Sequence, residues 1–195
     1  GGQHREHLEV RPLGDDGTLG APTWTSETST HVRNPSWGPG GRFLVFEAAF
    51  TSFRDIYRVE LPTGTLTRLT DNTEGNFEPA VSPDGRHIAF VSSRDGNAEV
   101  YRMTVDGGEP TRLTEFPLDD WGPMWAPDGQ TLAFLSNREL VDRIFLMRPD
   151  GGEQRRLTAD RTPARDADAP LGDEPHETDP AFAPDGAAIA YCVRT

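Results

Sequence analysis

The sequence predicts an all-β fold, a β-propeller built from small four-stranded units. Three observations predict it. The phrase Ser82-Pro83-Asp84-Gly85-Arg86-His87-Ile88-Ala89-Phe90 recurs at Ala126-Pro127-Asp128-Gly129-Gln130-Thr131-Leu132-Ala133-Phe134 and at Ala183-Pro184-Asp185-Gly186-Ala187-Ala188-Ile189-Ala190-Tyr191. A degenerate copy stands at Gly38-Pro39-Gly40-Gly41-Arg42-Phe43-Leu44-Val45-Phe46. A proline leads each phrase (Pro35, Pro79, Pro123, Pro180), at intervals of 44, 44 and 57 residues. The first two intervals match the roughly 40–45 residues of a four-stranded propeller blade. No stretch of useful length places apolar residues at helical spacing.

One repeat shows the logic of each element. Pro79–Ser82 reads as the first strand. In Pro83-Asp84-Gly85 the proline presets φ, the aspartate bonds its own backbone and the glycine tolerates positive φ, so this is a tight turn. His87–Ser92 is a second strand, with Ile88 and Phe90 sharing a face at period two. Arg94-Asp95-Gly96-Asn97 is a turn and Glu99–Val105 a third strand. Asp106-Gly107-Gly108 is a hairpin signal, and Thr111–Thr114 a fourth strand. The next repeat matches at Arg143–Met147, Asp150-Gly151-Gly152 and Arg155–Thr158, the previous one at Asp55–Val59 and Thr67–Thr70.

Each end of the chain is half a repeat. Residues 180–194 supply strands one and two. His7–Arg11 resembles a third strand, Asp15-Asp16-Gly17 a turn and Ala21–Thr25 a fourth strand. Joined, the halves make a fourth blade, and strands from both termini would leave no exposed sheet edge. The expectation is a single closed domain over residues 1–195, with blades at about 31–74, 75–118, 119–178, and 179–195 plus 1–30. Residues 7–11 are then expected to pair with the strand holding Ile189 and Tyr191, and the chain to be a monomer. The rival is an excised piece of a six- to eight-bladed ring.

The string Ser-Pro-Asp-Gly, Ile-Ala-Phe, Ser-x-Arg-Asp-Gly, Val-Tyr, Asp-Gly-Gly and Thr-Arg-Leu-Thr resembles the TolB-type β-propeller repeat, WD-like with a Pro-Asp-Gly turn. The resemblance covers about residues 31–194 and departs from the pattern at Gly40, where Asp is expected. It implies the fold more than a function. Such propellers occur in periplasmic TolB, in oligogalacturonate lyase-like enzymes and beside peptidase domains. It therefore points to a bacterial periplasmic or secreted protein.

Composition bounds the partners. Net charge is −13, so nucleic acid and anionic membranes are disfavoured, because such binding depends on cationic contacts to phosphate. All 19 basic residues are arginine, as a GC-rich genome would produce. The single cysteine, Cys192, excludes an internal disulfide and is read as a small buried apolar residue. No apolar run reaches transmembrane length. Gly1-Gly2, with no initiator Met, reads as a processing or cloning scar, so any leader could have been removed.

The repeated Asp84, Asp128 and Asp185 are read as turn residues, not metal ligands. The segments leading into the first strands are more informative, because a propeller brings equivalent loops to one mouth of its channel. Asn34, Glu78, Gly122 and Asp179 precede the prolines. His31, Gly75, Asp119 and His176 stand three positions earlier. Asn34, Glu78 and Asp179 are oxygen donors suited to a hard cation such as calcium, sodium or magnesium. His31 and His176, on adjacent blades, could meet and with a carboxylate hold a transition metal. With Asp119, Asp120 and Trp121 they form the candidate ligand site. The insertion 159–178 is read as a solvated loop or a lid over this mouth.

No nucleophile elbow, phosphate loop or metalloprotease motif is present. The reading is a non-enzymatic propeller scaffold for a protein or small ligand. The alternative is a metal-dependent carbohydrate-active lyase or hydrolase.

Overall fold

The computed structural model describes residues 5–158 and 175–194. Within them the protein is all-β; its one helical element is a 3-10 turn at Pro39–Gly41. Three antiparallel four-stranded sheets follow one another. The first is β3 (Val32–Trp37), β4 (Phe43–Ala48), β5 (Asp55–Glu60) and β6 (Thr65–Arg68). The second is β7 (Asn76–Val81), β8 (His87–Ser92), β9 (Glu99–Thr104) and β10 (Thr111–Arg112). The third is β11 (Asp120–Trp125), β12 (Leu132–Ser136), β13 (Arg143–Met147) and β14 (Arg155–Arg156). Two half-blades flank them, β1 (Glu9–Val10) with β2 (Trp24–Thr25), and β15 (His176–Phe182) with β16 (Ile189–Arg194). Most of the insertion 159–178, with its lid reading, lies outside the described residues.

The Pro-Asp-Gly triplets are turns. Asp84, Asp128 and Asp185 each accept the backbone N–H two residues on, at 3.0, 2.9 and 2.9 Å. The glycine that follows each has φ of +71°, +68° and +71°. The turns also stack from blade to blade: a Cβ on Gly85 would stand 2.8 Å from Pro39 Cδ.

Alternation in the second strand builds the core. Ile88 and Phe90 pack backwards on Phe43, Val45 and Ile56 of the first blade. Ala89 packs forwards on Leu132 and Phe134 of the third. Phe46, Phe90 and Phe134, equivalent in the repeat, are fully buried. Each contributes about 1.5–3 kcal/mol of burial. Leu8, Val10 and Trp24 cover Leu44 and Phe46 on the first blade. Phe182, Ile189 and Tyr191 cover the far face of the third.

The Thr-Arg-Leu-Thr strand is a polar clamp. Asp55 accepts Arg68 Nη2 at 2.6 Å and Thr70 Oγ1 at 3.0 Å, and Thr70 Oγ1 takes the Ile56 N–H at 2.9 Å. In the second blade Glu99 accepts Arg112 Nη2 at 2.9 Å, Thr114 Oγ1 at 2.5 Å and the Phe116 N–H at 2.8 Å. The third blade has Arg143 where an acid is expected. Glu177 of β15 replaces it, bonded to Thr158 Oγ1 and taking the Ile144 N–H at 3.1 Å.

The ends depart from the closed ring. β1 and β2 take the third- and fourth-strand roles expected of them: the Leu8 N–H bonds Ser26 Oγ at 2.9 Å, as Ile56 bonds Thr70. Yet β1 pairs with β2, and no ladder joins it to β16. Each half-blade is held instead by the apolar face of the complete blade beside it. Cys192, expected to be buried, is exposed for the same reason.

Glu99 has no exposed surface and four donors, the fourth being Asn97 Nδ2 at 3.1 Å. Glu99→Ala leaves those donors unanswered, and breaking such a buried pair costs about 3–5 kcal/mol. Urea unfolding should show a loss of that size and a smaller one for Glu99→Gln. A loss within ~0.5 kcal/mol, as at ordinary surface sites, would refute the clamp.

Candidate functional site

The first strands share one irregularity. Each ladder between strands one and two slips at the residue before proline: between Arg33 and Ser36, Phe77 and Ala80, Trp121 and Met124, and Thr178 and Ala181. There Asn34, Glu78, Gly122 and Asp179 have φ of 51°, 53°, 61° and 54°. Left-handed backbone costs a side-chain-bearing residue about 1–2 kcal/mol, so a repeated outlier marks a built feature. The bulge turns the backbone N–H of that residue towards the preceding blade.

Carboxylates meet those N–H groups. Glu47 Oε2 accepts the Glu78 N–H at 2.6 Å, and Glu78 Oε2 accepts the Gly122 N–H at 2.8 Å. Blades one, two and three are thus joined in series. The chain of bonds stops at Gly122, which has no side chain to pass to Asp179. Glu47 is 1% exposed. His31 Nε2 bonds its other oxygen, and Arg54 Nη1 lies 3.9 Å from it. Arg54 stacks over the Phe77 ring at 4.4 Å.

The predicted site residues therefore divide. Glu78 and His31 sit in one network, linked through Glu47. His176 Nδ1 lies 2.9 Å from Asp142 Oδ2, and no hydrogen bond or ion pair joins it to His31. Asp119 is exposed and caps the Ala98 N–H at 2.9 Å. Asp120 is buried on Arg138 Nη2 at 2.7 Å. Trp121 packs on the cluster containing Leu135 and Ile144. Asn34 and Asp179 are exposed, and Asp179 accepts Thr178 Oγ1 at 2.9 Å. Among the described residues no group of three or more His, Cys, Asp or Glu side chains is placed to hold a metal ion.

Glu47 escaped the sequence reading, although the repeat carries the signal. Its equivalents are Val91, Leu135 and Cys192, so an acid there breaks an apolar pattern. The blade junctions escaped too. Asn76 Nδ2 bonds Asp55 Oδ1 at 3.2 Å at the first. Glu99 and Asp120 place two acids at the second. Arg143 and Glu177 exchange the charges at the third.

A model of the TolB β-propeller domain matches residues 18–117, half of the sequence. The chain belongs to the TolB β-propeller family. Among solved structures it is similar to a TolB from Agrobacterium tumefaciens at 28% identity (TM-score 0.65, covering 77% of this chain and 60% of that one). It is also similar to TolB from Acinetobacter baumannii at 21% identity (TM-score 0.70, covering 90% and 40%). A chain in the crystal structure of a nidogen/laminin complex shares the fold at 15% identity (TM-score 0.65, covering 97% and 70%). The chain thus spans 60% of the first TolB structure and 40% of the second. Curated protein sequences give no match. The Ser-x-Arg element of the family repeat has a visible task here. Ser92 with Arg94, and Ser136 with Arg138, hold Asn76 and Asp120 at the junctions.

Two of these acids titrate high. Burial raises Glu78, opposed by the Gly122 N–H and aided by the Glu47 charge. Burial raises Asp120, opposed by Ser136 and Arg138 and aided by Glu99. The folded chain therefore binds more protons than the unfolded one above the ordinary values of 4.5 and 3.8. Stability should fall as pH rises from those values through the raised ones. Asp120→Asn, which copies Asn76, and Glu78→Gln should each flatten that fall in urea titrations between acid and neutral pH. Unchanged slopes in both would refute the assignment.

Proposed function

We propose that this TolB-family propeller is a non-enzymatic binding scaffold in the bacterial periplasm, taking a protein segment or small ligand at the end where its first strands begin. The observation that carries the reading is the repeated left-handed turn before proline. It presents Asn34 and Asp179 outward, while carboxylate bonds lock the neighbouring blades behind them. A rigid frame under exposed polar groups suits recognition, because little order need be lost on binding. His31, Asp119, Asp120, Trp121 and His176 are the remaining members of the proposed surface. Asp119 and His176 contribute edge contacts, and Trp121 and Asp120 support from below. The TolB likeness favours a protein ligand.

A hard cation would sit at the same end, on Asn34, Glu78 and Asp179. Thermal melting with calcium against chelator decides this. A calcium-dependent rise lost in Asp179→Ala would place an ion there, and no shift would remove it.

For the scaffold itself, peptides selected from a random library on the immobilised chain should lose about tenfold or more in affinity, ~1.4 kcal/mol, when Asn34, Asp119 and Asp179 are together changed to Ala. All three are exposed, but Asn34 and Asp179 hold left-handed backbone and Asp119 caps the Ala98 N–H, so the melting temperature should fall and binding is compared well below it. Peptides that bind both forms equally would place recognition elsewhere. Turnover of acidic polysaccharides by the unaltered chain would overturn the non-enzymatic reading.

A further inference from the structure

The junction of blades two and three contains a buried oxygen that no described residue answers. Asp120 and Glu99 are both fully buried. Asp120 Oδ2 accepts Arg138 Nη2 at 2.7 Å, but Asp120 Oδ1 has no hydrogen-bond partner among the described residues. A buried polar atom left in that state costs free energy and needs an explanation.

The other junctions supply one. Asn76, Asp120 and Glu177 occupy one position of the repeat, two residues before the left-handed residue. Asp55, Glu99 and Arg143 occupy the counterpart position at the start of the third strand. At the first junction Asn76 Oδ1 accepts Arg94 Nη2 at 3.2 Å, and Asn76 Nδ2 donates to Asp55 Oδ1 at 3.2 Å. At the third, a donor, Arg143, stands in one position and an acceptor, Glu177, in the other. Each of these junctions sets one donor against one acceptor. The second has two acids, so it keeps the rule only if one of them carries a proton. Arg138 takes the part of Arg94, so Asp120 Oδ2 corresponds to Asn76 Oδ1. The unanswered Oδ1 then corresponds to the Nδ2 donor.

The hydrogen bonds also assign the proton to one acid. Glu99 Oε1 accepts Asn97 Nδ2, Arg112 Nη2 and the Phe116 N–H at 3.1, 2.9 and 2.8 Å, and Oε2 accepts Thr114 Oγ1 at 2.5 Å. Donors in that number favour the charged carboxylate. Glu99 Oε2 matches Asp55 Oδ1, which takes Thr70 Oγ1 and Asn76 Nδ2 together. Asp120 has Arg138 alone, and Arg138 does not require a charged partner. Arg94 makes the same bond to the neutral Asn76. Arg138 also bonds Ser136 Oγ at 2.8 Å and Gln154 Oε1 at 3.1 Å, and it lies 4.5 Å from the Phe145 ring centroid.

We infer that Asp120 carries its proton on Oδ1 and donates it to Glu99 Oε2, so that blades two and three are joined by a carboxylic acid–carboxylate pair that opens when Asp120 ionises. Ionisation sets two like charges across the junction, with Arg138 beside Asp120 and Arg112 beside Glu99. Arg112 also faces Asp95 at 3.5 Å. Burial and the Glu99 charge push the Asp120 titration up, against Ser136 and Arg138, in the direction the pair requires. The bond is therefore present below that raised titration and lost as pH rises through it. The opening reaches the backbone beside it. The Asp120 N–H bonds Ala98 O at 2.8 Å, and the Ala98 N–H bonds Asp119 Oδ1 at 2.9 Å, so both ties between the blades lie next to the pair.

The test follows the carboxyl carbons of Asp120 and Glu99 by NMR in the full chain, from acid to neutral pH. Asp120 should titrate above its ordinary value of 3.8, with Glu99 already ionised throughout that step. Glu99→Gln removes the acceptor's charge and should move the Asp120 step down. Protection of the Asp120 N–H from hydrogen exchange should fall across the step in the unaltered chain. It should stay level in Asp120→Asn, which copies Asn76 and fixes a donor in place of the proton. An Asp120 step at or below 3.8, or the raised step on Glu99 instead, would overturn the inference. So would an Asp120 step that Glu99→Gln leaves in place, because burial alone would then account for it. If Glu99→Gln does not fold, the Asp120→Asn comparison decides: protection that still falls over the same pH range would overturn the pair.

Discussion

A left-handed residue before proline is the constraint on which this array depends. It interrupts each first strand at the same point, and the interruption turns a backbone N–H out of its own ladder. A buried or partly buried N–H needs a partner. For Glu78 and Gly122 that partner is a carboxylate from the blade before. The bulge thereby converts a local backbone cost into a bond between units. Apolar packing between blades is non-directional, whereas these bonds have one geometry, so they set how each blade is placed on the next.

The junctions show how a repeat tolerates variation once its geometry is set. Every junction needs an acceptor for the threonine hydroxyl. Asp55, Glu99 and Glu177 meet that need from two different positions in the repeat. Where the acid moves to the next blade, an arginine takes its former place at Arg143. The acceptor is kept, and its position in the repeat is not. The second junction carries two acids, and the cost of burying them appears as a raised titration at Asp120.

The same logic separates the predicted residues that stand exposed from those that carry structure. Glu78 projects from the inner turn, but its carboxylate is committed to Gly122. Asn34 and Asp179 occupy the same turn and remain exposed. A position in a repeat therefore predicts where a side chain lies, and its neighbours decide whether it is free to bind.

Much of this was legible in the sequence. The Pro-Asp-Gly turns, the four strands of each blade, the period of 44 residues and the half-repeats at both ends are properties of local chemistry. Proline's fixed φ, glycine's freedom and period-two alternation act within a few residues, and the repeat multiplies the signal. The clamps, the Glu47 bridge and the separation of His31 from His176 were not legible. They join residues from different units through side chains whose partners depend on the angle between blades. The meeting of β1 with β16 is of the same kind. The sequence determined that each is half of a blade, because strand type is local. Only the tertiary structure decided that they stand apart in one chain, because closure depends on curvature summed over every blade between them.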